Sequence, residues 1–351
     1  MRQIVVHADV SDAVGLDEPL QTVATVCLPD KLAMPPVVCF AWPGGGYSRQ
    51  YYTFDMPDGD GGGQAGWHTA RGWIFVACDH LHTGGSSHVN DPAAVTYEHL
   101  VAANRATVDV MLARLAAGTV IDGFPPVRDP VTIGMGQSLG GSLLVLQQGQ
   151  VNTFDGIAVL GWSGHHSVTW MPPGVTSPRK KYIPRGTDVG TLTPEVHVAA
   201  MPEMTLDEDG FPGATPGFHF DDEPADIVAA DMIDFPRRRG QMPTWGSATI
   251  PPCSMTMMSP GSVAPEAASI TVPVLIAVGE RDVCPDPMAE PKAYKRATDV
   301  SVFVCPRMAH MHNFANTRQL FWDRIHSWGH GVAALRTPSH GTSPRPVDSS
   351  S

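Results

Sequence analysis

No apolar run in this sequence reaches about 18 residues, the length that a membrane-spanning helix requires. The opening residues MRQIVVHADVSD also lack the apolar core of roughly 7–15 residues that secretory signal peptides carry. We therefore expect no membrane span and a soluble, cytoplasmic protein.

Basic residues are few compared with acidic ones. The 23 Lys and Arg residues stand against 35 Asp and Glu residues, which gives a formal net charge of −12. A nucleic-acid partner would need a basic surface to neutralise its phosphates. The charge balance therefore argues against nucleic-acid binding.

Metal-binding and disulfide motifs are absent from the sequence. The six cysteines form no C-x-x-C pair, and four of them lie in apolar runs, at Cys27, Cys39, Cys78 and Cys305. Such cysteines are expected to be buried free thiols. The pairs His80/His82 and His310/His312 could each direct two imidazoles to one side of an extended segment. Without an H-E-x-x-H motif or a cysteine cluster, we expect no metal site.

Seven short apolar runs are present, separated by turn-forming residues. They cover 22–28, 36–42, 73–79, 130–136, 156–162, 272–279 and 300–306. Most are continuously apolar, as in strands buried on both faces of a parallel sheet. Helical periodicity appears between runs, at 96–117 and 317–328. This alternation predicts an α/β fold with a doubly wound, mostly parallel sheet.

Residues 165–265 interrupt the alternation and hold half of the 16 methionines. A structureless loop of this length is uncommon in a compact domain. We therefore predict a cap insertion, called the cap segment below, with its best candidate helix at 222–233. Methionine adapts to irregular apolar ligands, but a poorly patterned core explains the same composition. The predicted division is a core at 1–164 and 266–336, the cap segment between them, and a tail of disordered composition at 337–351.

Ser138 lies in Gly136-Gln137-Ser138-Leu139-Gly140, which matches the G-x-S-x-G nucleophile elbow between a strand and a helix. Glycines suit this tight turn because the backbone approaches closely there. The preceding PVTIGM and the following GGSLLVLQQ supply the strand and the helix. Ser138 is therefore the candidate nucleophile.

A serine nucleophile needs a base, and the base needs a carboxylate that orients it. In folds with a nucleophile elbow, the carboxylate follows the serine along the chain and the histidine follows the carboxylate. Asp282 follows the sixth apolar run, at the end of a strand where α/β sheets build their sites, with Glu280 and Asp286 as alternatives. After the seventh run we favour His310 as the base over His312, because it lies in the first turn after the strand.

Backbone amides must bind the oxyanion of the reaction. We predict that Leu139 supplies one, and that the glycine-rich loop after the second run supplies others, from Gly45 and Gly46. Pro43 stands where the HGGG-type loop has histidine, which leaves open how this loop is held. Four residues that follow strand ends are candidates for the substrate pocket, although ordinary packing explains each of them as well: Trp42, Tyr47, Trp162 and His165.

The chain resembles the α/β-hydrolase superfamily, in particular its esterases and lipases. Four segments carry the resemblance: PGGGY at 43–47, GQSLGG at 136–141, VGERD at 278–282 and MAHMHNF at 308–314. The resemblance implies a lid insertion at the cap segment. It also implies a triad and an oxyanion hole formed by Ser138, His310 and Asp282 with Gly45, Gly46 and Leu139.

We therefore expect a hydrolase that cleaves a carboxylic ester or lactone of a small to medium, largely apolar substrate through an acyl-enzyme, without cofactor or metal. Amide, peptide or C–C bond hydrolysis and acyl transfer use the same triad and stay open as alternatives. A ligand-binding protein with little turnover is another. The expected partner is the small-molecule substrate, and a homodimer is left open.

Overall fold

A computed structural model describes residues 1–59, 61–176, 178, 181–236, 238 and 242–336. Its strands are β1 (Arg2–Asp9), β2 (Gln21–Leu28), β3 (Val37–Trp42), β4 (Ile74–Cys78), β5 (Val131–Gln137), β6 (Gly156–Leu160), β7 (Val274–Gly279) and β8 (Val300–Cys305). They form one sheet in the order β1-β2-β4-β3-β5-β6-β7-β8. The pairs β1/β2 and β2/β4 are antiparallel, and the other neighbours are parallel. The predicted mostly parallel α/β sheet is confirmed.

The parallel strands end at the same edge of the sheet. Trp42 of β3 pairs with Gly136 of β5, and Gln137 of β5 pairs with Leu160 of β6. The loops that follow these strands therefore meet in space, where open α/β sheets build their sites.

Strand β1 is absent from the sequence prediction. It lies at the edge of the sheet, and within it only Val6 and Ala8 are buried. An edge strand with one face towards solvent has no continuous apolar run, so the pattern that reveals buried strands misses it.

The described helices are α1 (Ser11–Val14), α2 (Gln50–Thr53), α3 (Gly63–Ala70), α4 (Tyr97–Ala117), α5 (Leu139–Val151), α6 (Pro194–Ala200), α7 (Thr215–Phe218), α8 (Ala225–Met232), α9 (Ala264–Ser269) and α10 (Arg318–Arg336). Helix α4 matches its prediction, with Thr96 as a capping-box residue and Gly118 as the left-handed C-cap. Helix α10 continues eight residues beyond its prediction. None of the described helices combines the length and the apolar character needed to cross a membrane.

The cap segment contains α6, α7 and α8 and the start of α9, and its described residues add no strand to the sheet. It is hydrogen-bonded to the loops at the carboxyl edge. The amides of His310 and Met311 donate to the carbonyls of Gly217 (3.1 Å) and Phe218 (2.9 Å) in α7. The predicted tail at 337–351 lies outside the described residues.

All six cysteines are free and buried, and for Cys27, Cys39, Cys78 and Cys305 this confirms the prediction from the sequence.

Candidate active site

Ser138 is the single residue between β5 and α5, with φ 55° and ψ −116°. A positive φ is strained for any residue with a side chain, and such strain marks the elbow of this kind of site. A Cβ atom added at Gly136 would lie 2.2 Å from the Gly140 carbonyl oxygen, and one added at Gly140 would lie 2.2 Å from the Trp42 carbonyl oxygen. Only glycine fits at both positions. The Ser138 hydroxyl makes no capping bond to α5 and lines a cavity above the sheet.

Asp282 lies in the loop after β7 and is held by two histidines. His310 Nδ1 donates to Asp282 Oδ1 at 2.6 Å, and His312 Nε2 donates to Oδ2 at 2.7 Å. Backbone amides of Gly279 (2.8 Å) and Val283 (2.7 Å) donate to the same carboxylate. Burial alone would raise the pKa of Asp282, but the charges of the two histidines and their hydrogen bonds lower it well below its usual range. The carboxylate is therefore ionised wherever the protein is folded near neutral pH.

The two alternative carboxylates make other contacts. Glu280 is exposed and accepts a hydrogen bond from the Arg307 amide at 2.9 Å. Asp286 accepts from the Ala289 amide at 3.2 Å and caps the 3₁₀ turn Pro287–Lys292.

The two histidines differ in what surrounds their rings. His310 lines the same cavity as Ser138. His312 is buried, does not line this cavity and packs against the Phe321 ring, with centroids 4.5 Å apart. Within the described residues no hydrogen bond joins the Ser138 hydroxyl to His310; instead Gln137 Nε2 lies 3.3 Å from His310 Nε2. Catalytic hydrogen bonds in ligand-free sites are commonly long and tighten when substrate binds.

The glycine-rich loop at 43–47, called the oxyanion loop below after its predicted role, is held by a residue from the loop after the neighbouring strand β4. His80, which follows β4, donates from Nε2 to the Pro43 carbonyl oxygen at 3.1 Å, and Asn104 Nδ2 lies 3.5 Å from its other ring nitrogen. Burial lowers the pKa of His80 to about 4, so the imidazole is neutral. The amides of Gly45 and Gly46 donate to no acceptor in the described part of the protein, and the same holds for Leu139. Sequence reasoning missed His80, because no local pattern shows which loop it touches.

Of the four predicted pocket residues, the structure brings only Tyr47 to the cavity. The Trp42 side chain does not line the cavity but packs in a core cluster next to Phe40 and Phe154. Side chains alternate along a strand, and Trp42 follows Phe40 on the same face. Trp162 is buried in that same core cluster. His165 is exposed and lies beside the Ala289 carbonyl oxygen, with its Nε2 at 3.3 Å.

The cavity beside Ser138 is small, about 70 Å³, and cap-segment side chains cover it. Five of these are methionines: Met201, Met204, Met255, Met257 and Met258. A second, outer cavity of about 390 Å³ adjoins it and is lined by Val198 and Leu206. Both cavities share Met201, Met204, Pro236 and Met255. Among the described residues, His310 and the Tyr47 phenol are the only ionisable side chains that line either cavity.

A buried polar cluster joins Tyr47 to the cap segment. Its centre is Asp231 of α8, which is fully buried. Four side chains donate to this carboxylate: Trp245 Nε1 (2.6 Å), Tyr47 Oη (2.7 Å), His219 Nε2 (3.0 Å) and Arg238 (3.3 Å). Because Tyr47 follows Gly46, the cluster connects the oxyanion loop to the cap segment.

His219 carries a charge within this cluster. Its Nδ1 donates to Glu223 Oε2 at 2.6 Å, while its Nε2 faces Asp231. Burial alone would lower the pKa of His219, but the two carboxylates outweigh burial and raise it to about 9. Two cations, His219 and Arg238, therefore balance two buried anions. Sequence reasoning missed this cluster, because its members are polar residues within an irregular segment.

The histidines considered as metal ligands have other partners. His80 is engaged with Pro43, and His82 Nδ1 accepts from the Val89 amide at 3.1 Å. In the described ranges no three His, Cys, Asp or Glu side chains come together as a metal site would need.

Solved structures similar to this chain come from proteins of several activities. A proline iminopeptidase from Mycobacterium smegmatis is 15% identical with a TM-score of 0.56, over 95% of this chain and 100% of that chain. A peroxisomal alpha-beta-hydrolase from Saccharomyces cerevisiae is 13% identical with a TM-score of 0.55, over 98% and 92%. A thermophilic esterase from Thermogutta terrifontis is 11% identical with a TM-score of 0.57, over 95% and 99%. No protein-family model matches the sequence, and no curated protein matches it.

Proposed function

We propose that this chain, which has the α/β-hydrolase fold, is a serine hydrolase that cleaves a carboxylic ester or lactone through an acyl-enzyme. One observation carries the proposal. The imidazole that Asp282 orients at 2.6 Å lines the same cavity as the strained elbow serine. The residues in question are Ser138 as nucleophile, His310 as base and Asp282 as orienting acid.

In the proposed reaction, His310 carries each proton between Ser138, the leaving alcohol and water while bonds to the acyl carbon form and break. His310 Nε2 takes the proton of Ser138 Oγ as Oγ attacks the ester carbonyl carbon. The oxyanion that forms accepts hydrogen bonds from the amides of Gly45, Gly46 and Leu139. When the intermediate collapses, the carbon–oxygen bond to the alcohol breaks and the alcohol takes the proton from His310.

Water then attacks the acyl-enzyme along the same path. His310 takes a proton from the water and returns it to Ser138 Oγ as the acid leaves. Throughout, Asp282 stabilises the imidazolium and fixes the tautomer that has its proton on Nδ1.

The lining of the two cavities supports a largely apolar substrate. Methionine side chains cover the cavity at Ser138, and a cationic or anionic substrate would find no partner of opposite fixed charge among the described lining residues. We expect p-nitrophenyl esters of uncharged, medium-length acids to have higher kcat/KM values than the acetate or a charged succinate ester. A preference for charged or very large acyl groups would contradict this substrate class.

A fluorophosphonate probe tests the nucleophile directly. We expect one covalent adduct, located at Ser138 by mass spectrometry and lost in Ser138→Ala. Labelling should fall sharply in His310→Ala and persist in His312→Ala, which is the matched control because both histidines bind Asp282. The reverse pattern would make His312 the base. A stoichiometric burst of product followed by near silence would support a binding protein instead.

A further inference from the structure

We propose that Gln137 is a positioning residue for His310, which holds the imidazole Nε2 in the resting protein and competes with Ser138 for it. This inference rests on the proposed function, since it assigns a role next to the proposed base. Gln137 is the last residue of β5 and is 1% exposed.

The orientation of the Gln137 amide follows from its partners. Gln137 Nε2 donates to the His310 carbonyl oxygen at 2.9 Å. A carbonyl oxygen only accepts, so the NH₂ group, not the amide oxygen, faces His310. The same nitrogen lies 3.3 Å from His310 Nε2. Because the Nδ1 proton goes to Asp282, Nε2 carries the lone pair and accepts the second N–H.

The other end of the Gln137 side chain is wedged against the oxyanion loop. Gln137 Oε1 is buried and has no hydrogen-bond partner among the described residues. A Cβ atom added at Gly44 would lie 2.5 Å from it. The side chain therefore fills the space between the oxyanion loop and the base. For Ser138 to reach His310 Nε2, the imidazole has to leave the Gln137 amide.

This contact has an electrostatic consequence for the base. When His310 gains a proton on Nε2, two N–H groups face each other, so the Gln137 donor favours the neutral imidazole. The titratable groups next to His310 are Asp282 and His312 from the strand-end loops and Ser138 from the elbow. From the cap segment the Phe218 ring contacts it, with centroids 5.1 Å apart, and carries no charge.

The experiment compares the pH dependence of Ser138 labelling by a fluorophosphonate, and of kcat/KM, in two variants. Gln137→Met keeps the length of the side chain and removes the donor. Gln137→Glu places a carboxylate at the same position. We expect the midpoint of the acid limb to rise by about half a pH unit in Gln137→Met and by about one unit or more in Gln137→Glu.

The matched control is Gln147→Met, which replaces a second buried glutamine. Gln147 lies in α5, away from the cavity, so its replacement should leave the midpoint of the acid limb unchanged. If Gln137→Met does not fold, the near-isosteric Gln137→Glu decides alone. An acid limb that stays in place in the folded variants, with Ser138 still labelled, overturns the role of Gln137. Failure of the unmodified protein to label at Ser138 overturns the proposed function, and the inference with it.

Discussion

A side chain from the loop after β4 holds the start of the predicted oxyanion loop. His80 donates to the Pro43 carbonyl oxygen, where sequence reasoning found a proline in place of the usual histidine and could not say what holds the loop. A neutral, buried imidazole does this from outside the loop. The position of the Gly45 and Gly46 amides is thus tied to the loop after β4.

Replacing His80 should affect both stability and turnover. His80→Phe keeps a ring but leaves the Pro43 carbonyl without its donor, which costs about 1–3 kcal/mol of unfolding free energy. Displaced amides stabilise the transition state less, so we expect kcat to fall about tenfold or more while KM changes little. Urea unfolding and steady-state ester hydrolysis measure the two effects. An unchanged kcat in the folded variant would separate His80 from the oxyanion loop.

The site residues that the sequence predicts and the contacts that it misses differ in how local their signal is. Ser138, Asp282 and His310 each follow a buried apolar run, and a short motif marks the serine. The contacts of Gln137 and Asp231 join segments that are 173 and 184 residues apart along the chain. No periodicity or spacing encodes which distant loop a polar side chain will meet.

At the level of elements, the cluster around Asp231 fastens the cap segment to the loop after β3. Asp231→Asn removes one of two buried anions, so that His219 keeps only Glu223 as a carboxylate partner and Arg238 loses the carboxylate that it contacts. Breaking a buried ion pair on one side costs about 3–5 kcal/mol. Tyr47→Phe is the matched control, because it removes one hydrogen bond to the same carboxylate and should cost about 1 kcal/mol. Equal losses in urea unfolding would show that the charge of Asp231 is not what matters.

The boundary between the two cavities gives a second test of the cap segment. Met255 lines both, so Met255→Trp should narrow the passage between them. We expect kcat/KM for p-nitrophenyl octanoate to fall by about tenfold in this variant. The reason is that two methylene groups of the acyl chain are no longer buried in the passage, and each contributes about 0.8 kcal/mol to binding. The acetate ester, which fits the inner cavity, is the internal control and should be hydrolysed at the wild-type rate. A uniform loss over all chain lengths would argue against a shared passage.

Buried strands were predictable because their side chains are apolar on both faces, and every one of the seven predicted runs overlaps a strand. The edge strand β1 and the last eight residues of α10 were not predicted. In the cap segment, the predicted helix at 222–233 corresponds to α8, but the other short helices there have no apolar periodicity. Their positions depend on contacts with the strand-end loops.

For the whole molecule, buried histidines set how stability depends on pH. Burial lowers the pKa values of His80 and His326 to about 4, below the value of about 6.5 in an unfolded chain. The unfolded state therefore binds more protons between these values, and stability falls as the pH drops from about 6.5 to about 4. His219, with its pKa raised to about 9, acts in the opposite sense. The contribution of His219 to the free energy of unfolding is complete below about pH 6.5 and is lost as the pH rises through about 9.

We therefore expect the free energy of unfolding to be highest near pH 6.5 and to fall on both sides. Each fully buried histidine contributes a slope of up to about 1.4 kcal/mol per pH unit. Urea titrations between pH 4 and 9 measure the profile, and His80→Phe should flatten its acid side while leaving the alkaline side unchanged. A profile that keeps rising from pH 6.5 to 9 would contradict the charge assigned to His219.

The cap segment is not simply laid over the cavity, since residues 245–247 run antiparallel to the loop at 46–48. The Ser48 amide donates to the Trp245 carbonyl oxygen (2.8 Å), and the Ser247 amide donates to the Gly46 carbonyl oxygen (2.9 Å). Moving this stretch away to admit a reactant would displace the Gly45 and Gly46 amides, which we propose bind the oxyanion. For the proposed hydrolase we therefore expect reactants and products to pass through the outer cavity lined by Val198 and Leu206, which leaves this stretch in place.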